Sequence, residues 1–347
     1  MMQEGQHDKL IGRWLLMGVF MLMIQVVLGG ITRLTGSGLS ITEWKPILGA
    51  LPPMNEADWL LAFDKYKTIG QFQYLNADFT LSDFKFIYFW EWFHRNWARF
   101  IGVAFLIPFI FFWVKGYFRK AMVPGLLMLF VLGAAQGLIG WIMVASGLNE
   151  DNLYVSHFRL AIHFLSAMVL IAATFWFALR WLLADAYCVE NPSLRNHTLI
   201  GLILLVVQLM YGAFMAGLKA ATQAPTWPLI NGEFVPRAVW QQDWWHHPIN
   251  IHLLHRMLAY AILIWVIVWY VQAKKEMRST LFTKFRWIPV VLVAAQVCLG
   301  IVTVLLSTRL ARNSFGPFEW VAQVHQIVAM FLAMALVGSL FLVRGRR

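Results

Sequence analysis

Eight apolar runs, each long enough to cross a bilayer, constrain this chain more than any other feature. They fall at about 11–33, 91–114, 121–146, 157–183, 198–218, 251–273, 286–308 and 319–343. A spanning helix needs about 20 apolar residues. A backbone in hydrocarbon must also satisfy its own amides, which only helices and closed barrels achieve. None of the runs carries a long polar interruption, so the expected fold class is an all-α integral membrane protein with eight transmembrane helices. Charged residues make up 13% of the chain, against about 25% in soluble domains, which excludes a soluble globular protein. Pro108 and Pro124 lie within runs, where neighbouring helices can satisfy the carbonyls they free.

The formal charge of +11 does not signal a nucleic-acid partner, because the basic residues sit in short clusters between apolar runs. That distribution sets membrane topology. One side carries Lys9, Arg13, Lys115, Arg119, Lys120, Arg180, Arg195, Lys274, Lys275, Arg278, Lys284, Arg286, Arg344, Arg346 and Arg347. The short loops of the other side, 147–156 and 309–318, hold Arg309 and Arg312 and little else basic. Both termini are therefore placed inside, and the long connections 34–90 and 219–250 outside. Asn55 to Tyr66 reads as a short surface helix capped by Asn55. The first run has no small-residue cleavage site and reads as a retained helix. Cys188 falls in an inner loop and Cys298 inside a helix, so no disulfide is expected, and no CxxC or zinc spacing occurs.

The runs repeat a pattern. Gln-x-x-x-Gly recurs in the four odd-numbered runs as Gln25/Gly29, Gln136/Gly140, Gln208/Gly212 and Gln296/Gly300. A histidine stands near the start of each even-numbered run: His94, His163, His255 and His325. Trp44 and Pro53 follow Gln25 at the same spacing at which Trp227 and Pro236 follow Gln208. His94 to His255 is a shift of 161, His163 to His325 of 162, and Gln136 to Gln296 of 160. Duplication of a four-helix bundle explains this, with halves at 1–183 and 184–347. An even number of spans per half makes the repeat parallel, with its pseudo-axis along the membrane normal.

Even-numbered runs descend from the outside. Their histidines lie some 4–7 residues below the outer end, about 5–10 Å down at about 1.5 Å per residue. The Gln/Gly pairs share that layer. Two imidazoles from facing helices can ligate a haem iron axially. The glycines would let a flat ring approach the backbones, and bundle cores commonly hold cofactors. A lone histidine in a membrane helix is more often a satisfied polar group, but four at duplicated positions and matched depth argue otherwise. Plain helix packing also explains glycines, and for the glutamines it weighs as much as a role beside a ring. Zinc or copper is a weaker rival, because cysteines and clustered carboxylates are lacking. His246 and His247, beside Trp244 and Trp245, read as interfacial, and His7, His157 and His197 as boundary residues.

The halves differ at one place. Glu91 stands three residues before His94, and His252 three before His255. Residues so spaced share a helix face, so Glu91 and His94 point together, although Trp90 to Arg99 also resembles an interfacial girdle. A carboxylate in one copy alone suggests different jobs: proton transfer in oxidation chemistry for the first half, a permanent redox cofactor for the second. Arg33, Arg95, Arg99, Arg159, Arg256 and Lys219 lie at the level of haem propionates; anchoring of helix ends explains each one equally well.

Several stretches resemble haem A synthases: residues 29–40 (GGITRLTGSGLS), Glu91 to Arg95, His157 to His163, Thr226-Trp227-Pro228, Asn250 to Arg256, and Val324-His325-Gln326. They span nearly the whole chain. The resemblance implies eight spans in two pseudo-symmetric halves in a bacterial inner membrane. It implies oxidation of the C8 methyl of haem O to a formyl group by successive hydroxylation, with the geminal diol losing water. By resemblance, His94 and His163 flank the substrate haem, Glu91 is the acidic residue of the chemistry, and His255 and His325 bind a resident haem b. It also implies an electron donor, the haem O-making farnesyltransferase and a homo-oligomer as partners. Residues 34–90 lack the cysteine pair of some members, which marks the cysteine-free, proteobacterial and mitochondrial-like type. Two rivals stay open: a dihaem cytochrome passing electrons from quinol, and a repeat-built transporter. Broken helices near the midplane, which would favour the transporter, are not evident.

Overall fold

Each apolar run forms a helix in the computed structural model, which describes residues 2–43, 48–240, 243–311 and 314–345. The long helices are α1 (Met2–Leu34), α2 (Leu81–Val114), α3 (Val123–Ala145), α4 (His157–Leu182), α5 (Pro192–Gly217), α6 (Pro248–Ala273), α7 (Ile288–Leu306) and α8 (Pro317–Leu342). Among the described residues there is no β-strand. Proline in the first turn starts α3, α5, α6, α7 and α8, where the missing amide hydrogen costs nothing. Trp44, Arg312, Arg346 and Arg347, used in the repeat and topology arguments, lie outside the described residues.

α2 begins ten residues earlier than its apolar run. A capping box between Thr80 and Asp83 starts it. Its extra turns are covered by the helix Glu56–Lys67, whose Phe63 and Tyr66 pack on the fully buried Phe84. Asn55 caps that helix as expected, accepting from the Asp58 amide. The helix lies on the surface as expected, with Phe63 and Tyr66 turned to the protein and Leu60 and Leu61 exposed. His94 therefore sits well over three turns into α2, deeper along its helix than expected from the sequence. Pro108, inside α2, frees the Ala104 carbonyl, and Trp14 of α1 donates to it at 3.4 Å.

In the first half α1 packs on α2 and α4, and α3 on α4; in the second, α5 packs on α6 and α8, and α7 on α6 and α8. A seam joins them, with α4 against α5 and α8, and α1 against α8. The main core fills this seam with Val19, Met168, Ile171, Leu205, Val266, Met330 and Leu336. Gln323 and Gln326 of α8 donate across it to the Val27 and Val26 carbonyls, at 3.3 and 3.1 Å.

At one end, Asp8 pairs with Arg119 at 2.5 Å, and Asp185 with Arg344 at 2.9 Å. Buried Glu276 there accepts from Arg278 at 2.5 Å and from Asn191 at 3.1 Å. Hydrogen bonds from Arg278 hold its carboxyl down from 4.5 to about 2. A carboxylate with a lowered folded-state pKa stabilises above its unfolded value and loses that contribution as pH falls. Glu276→Ala is thus expected to lower the thermal unfolding midpoint at pH 7. The gap from wild type should shrink between pH 4.5 and about 2.

Candidate functional site

The four glutamines meet the four histidines one to one. Gln25, Gln136 and Gln208 donate to the carbonyls of His94, His163 and His255 at 3.1, 3.0 and 3.1 Å. Gln136 Nε2 also lies 3.2 Å from the Nδ1 of His163, and Gln296 Nε2 lies 3.2 Å from the Nε2 of His325. Gln136 is itself held, because its Oε1 accepts from Ser166 at 2.6 Å. The glutamines thus anchor the histidine turns and rings, a role the sequence left undecided.

The glycines of the four motifs sit against the histidine rings. A Cβ on Gly29, Gly140, Gly212 or Gly300 would lie 3.3, 2.8, 3.3 or 3.1 Å from the imidazole of His94, His163, His255 or His325. The missing side chains leave room for the histidine rings. Glycine and glutamine lie one turn apart on one helix face, so each motif is a socket for one imidazole from the next long helix.

All four histidines line one cavity of about 1430 Å³ that reaches across both halves. His94 lies within electrostatic reach of His163, and His255 of His325. The Nδ1 atoms of His255 and His325 are buried without a hydrogen-bond partner. An unsatisfied buried ring nitrogen costs about 1–3 kcal/mol, a cost that a partner bound in the cavity would remove. Large, mostly apolar and bordered by paired imidazoles, the cavity fits haem.

Glu91 lines the same cavity and is buried. Its Oε2 accepts from Ser40 Oγ at 2.7 Å and the Ile41 amide at 2.8 Å, and its Oε1 from Arg95 at 2.5 Å. Arg95 also donates to the Ile41 and Glu43 carbonyls. The carboxylate thereby pins the loop that follows α1 to α2. In the second half, Arg256 donates to His252 Nε2 at 3.0 Å and to the carbonyls of Thr226, Pro228 and Leu229. An arginine one turn after the differing residue clamps the long loop before its helix in both halves. Sequence reasoning missed this clamp, although Glu91/Arg95 and His252/Arg256 carry its i, i+4 signal.

Tyr66, under the same loop, donates to Gln71 at 3.0 Å. Burial pushes its phenol up to about 12, so it stays neutral. Of the cations assigned to the propionate level, five already have protein partners. Arg95 and Arg256 act as described; Arg99 binds Asn96 at 2.7 Å, Arg159 the Ile142 carbonyl at 2.9 Å, and Lys219 the Tyr154 hydroxyl at 2.6 Å. Arg33 lines the cavity with no polar partner among the described residues. The remaining histidines stay at the periphery. His157 Nε2 meets the Trp245 carbonyl, His246 pairs with Asp243, His197 bonds Gln272, and His7 stacks on Tyr117. Both cysteines are free, as expected.

The chain is a polytopic all-helical membrane protein with a histidine-lined interior cavity. A model of the cytochrome oxidase assembly protein family (COX15-CtaA) matches residues 12–337. Relatives called haem A synthase match over most of their length. The protein from Rhodospirillum centenum is 42% identical, covering 99% of this chain and 90% of the relative. That from Brucella suis is 41% identical over 88% and 87%, and that from Flavobacterium johnsoniae 38% over 96% and 98%. The chain belongs to this cytochrome oxidase assembly family.

Proposed function

We propose that the chain is a haem A synthase: an oxidoreductase that converts the C8 methyl of haem O to a formyl group by successive hydroxylation. The supporting observation is that two imidazole couples line one cavity, with Glu91 one helical turn from His94 at the place where the other half carries His252. In this reading residues 1–183 hold the substrate between His94 and His163. Residues 184–347 hold a resident haem b between His255 and His325. The protein sits in a bacterial inner membrane with both termini cytoplasmic.

A bound haem supplies one-electron and oxygen chemistry; the chain supplies position and proton control. His94 and His163, seated against Gly29 and Gly140, fix the substrate's axial direction. Glu91 takes up or returns a proton at its carboxylate, held in place by Ser40, Ile41 and Arg95. Arg95 is a positioning residue, and Arg33 offers a guanidinium to a propionate. His252 cannot replace Glu91, because Arg256 already occupies its Nε2.

The reading is tested by producing the chain in cells that make haem O but no haem A, then extracting the pigments. Haem A is expected; haem O alone would refute the proposal. Gly140→Val should lower haem A yield at least ~10-fold through the displaced His163 ring, about 1.4 kcal/mol. Pyridine haemochrome assay of the purified variant should find the resident haem unchanged.

A further inference from the structure

α2 and α3 follow one another in the chain, yet their backbones stay apart, each packing on α1 or α4 instead. Phe105 and Phe109 of α2 meet Phe130 of α3 at the inner side, with ring centroids 4.6 and 5.1 Å apart. Outward of these rings, α2 presents Ala98 and Gly102, and α3 presents Gly133, Ala134 and Gly137. All five line the cavity and are accessible at its surface. The gap from Phe130 to Trp141 runs about 16 Å at about 1.5 Å per residue. It opens directly onto the layer of His94 and His163.

The second half has no such gap, because α6 packs on α7. Counted from Gln296 as from Gln136, Gly133 and Gly137 become Val293 and Val297. Counted from His255 as from His94, Gly102 becomes Leu263. Val293 is 2% exposed, and Leu263 packs against the core.

Close helix packing does not explain the three glycines: a Cβ on Gly102, Gly133 or Gly137 would meet no atom within 4 Å among the described residues. Glycine costs a helix interior about 1 kcal/mol relative to alanine. Other membrane-helix glycines let a neighbouring helix approach, and here no helix does. A bilayer-facing slot with an apolar floor, leading to the substrate imidazoles, suits a long hydrocarbon chain attached to a porphyrin.

We infer that the gap between α2 and α3 is a lateral slot that admits haem O from the bilayer and holds its isoprenoid tail, with Gly102, Gly133 and Gly137 setting preference for a tailed over a tail-less haem. This rests on the reading of the first half as the substrate side. The closed second half would retain its haem because Leu263, Val293 and Val297 fill the matching space.

The test compares the full chain, carrying its resident haem in lipid nanodiscs, with the Gly133→Val/Gly137→Val variant. Each is titrated with haem O and with haem B, which lacks the tail, and read by Soret difference spectra. The variant is expected to bind haem O at least ~10-fold more weakly and haem B within ~2-fold of wild type. Its resident haem content should match wild type. Unchanged haem O affinity would overturn the inference, as would equal losses for both haems. If the double variant lacks its resident haem, Gly102→Leu takes its place: a loss confined to haem O supports the slot, and unchanged or equal affinities overturn it. A wild-type chain that binds no haem O would instead refute the proposed function.

Discussion

Replacing Glu91 with alanine is expected to cut haem A accumulation at least ~100-fold, the lower range for loss of a positioned acid or base, while the resident haem stays bound. Glu91 has two jobs that this substitution removes together. Its carboxylate borders the cavity, and it holds Ser40, the Ile41 amide and Arg95. Glu91→Gln separates them. An amide keeps an oxygen for the loop donors but cannot exchange a proton with substrate. Loop protection from protease should therefore survive in Glu91→Gln while haem A stays low. Full haem A yield from Glu91→Gln would reduce the residue to a loop anchor.

The second large effect is at the paired imidazoles of the first half. His94→Ala or His163→Ala should lower haem A at least ~1,000-fold, because both affinity and alignment of the reacting methyl are lost. Neither change should remove the haem proposed for the second half, because His255 and His325 stand on α6 and α8. Gln136 gives a graded version. It touches the His163 ring and carbonyl and is braced by Ser166. Gln136→Leu keeps the bulk, frees the ring, and should cost ~10–100-fold, the usual effect of losing a group that orients a metal ligand. Haem A yield per chain, measured by reverse-phase chromatography of extracted pigment, reads all three variants.

The sequence carried the spans well, because length and hydropathy alone dictate them in lipid. It also carried the four histidines, because they recur at matched intervals, and all four line one cavity. It did not carry the upper turns of α2. Those are polar enough to end an apolar run, and they are helical because the helix Glu56–Lys67 buries Phe84 and Ile87 from the side. That each glycine seats an imidazole was not legible, for a related reason. Gln-x-x-x-Gly announces a close approach but not what approaches, and the imidazole comes from a helix tens of residues away. The Arg95 and Arg256 clamps end on backbone carbonyls, which have no letter in a sequence. The difference between Glu91 and His252 was legible in full, since aligning the halves on their histidines exposes it.

The central claim is that His255 with His325, and separately His94 with His163, each clasp one haem. Magnetic circular dichroism of the purified chain, with haem extraction, tests it most directly across the four single alanine variants. The account predicts one low-spin, bis-imidazole haem b per wild-type chain. That signal should turn high-spin or vanish in His255→Ala and His325→Ala and persist in His94→Ala and His163→Ala. A bis-imidazole signal that survives loss of His255 and of His325, or that disappears with His94, would contradict it.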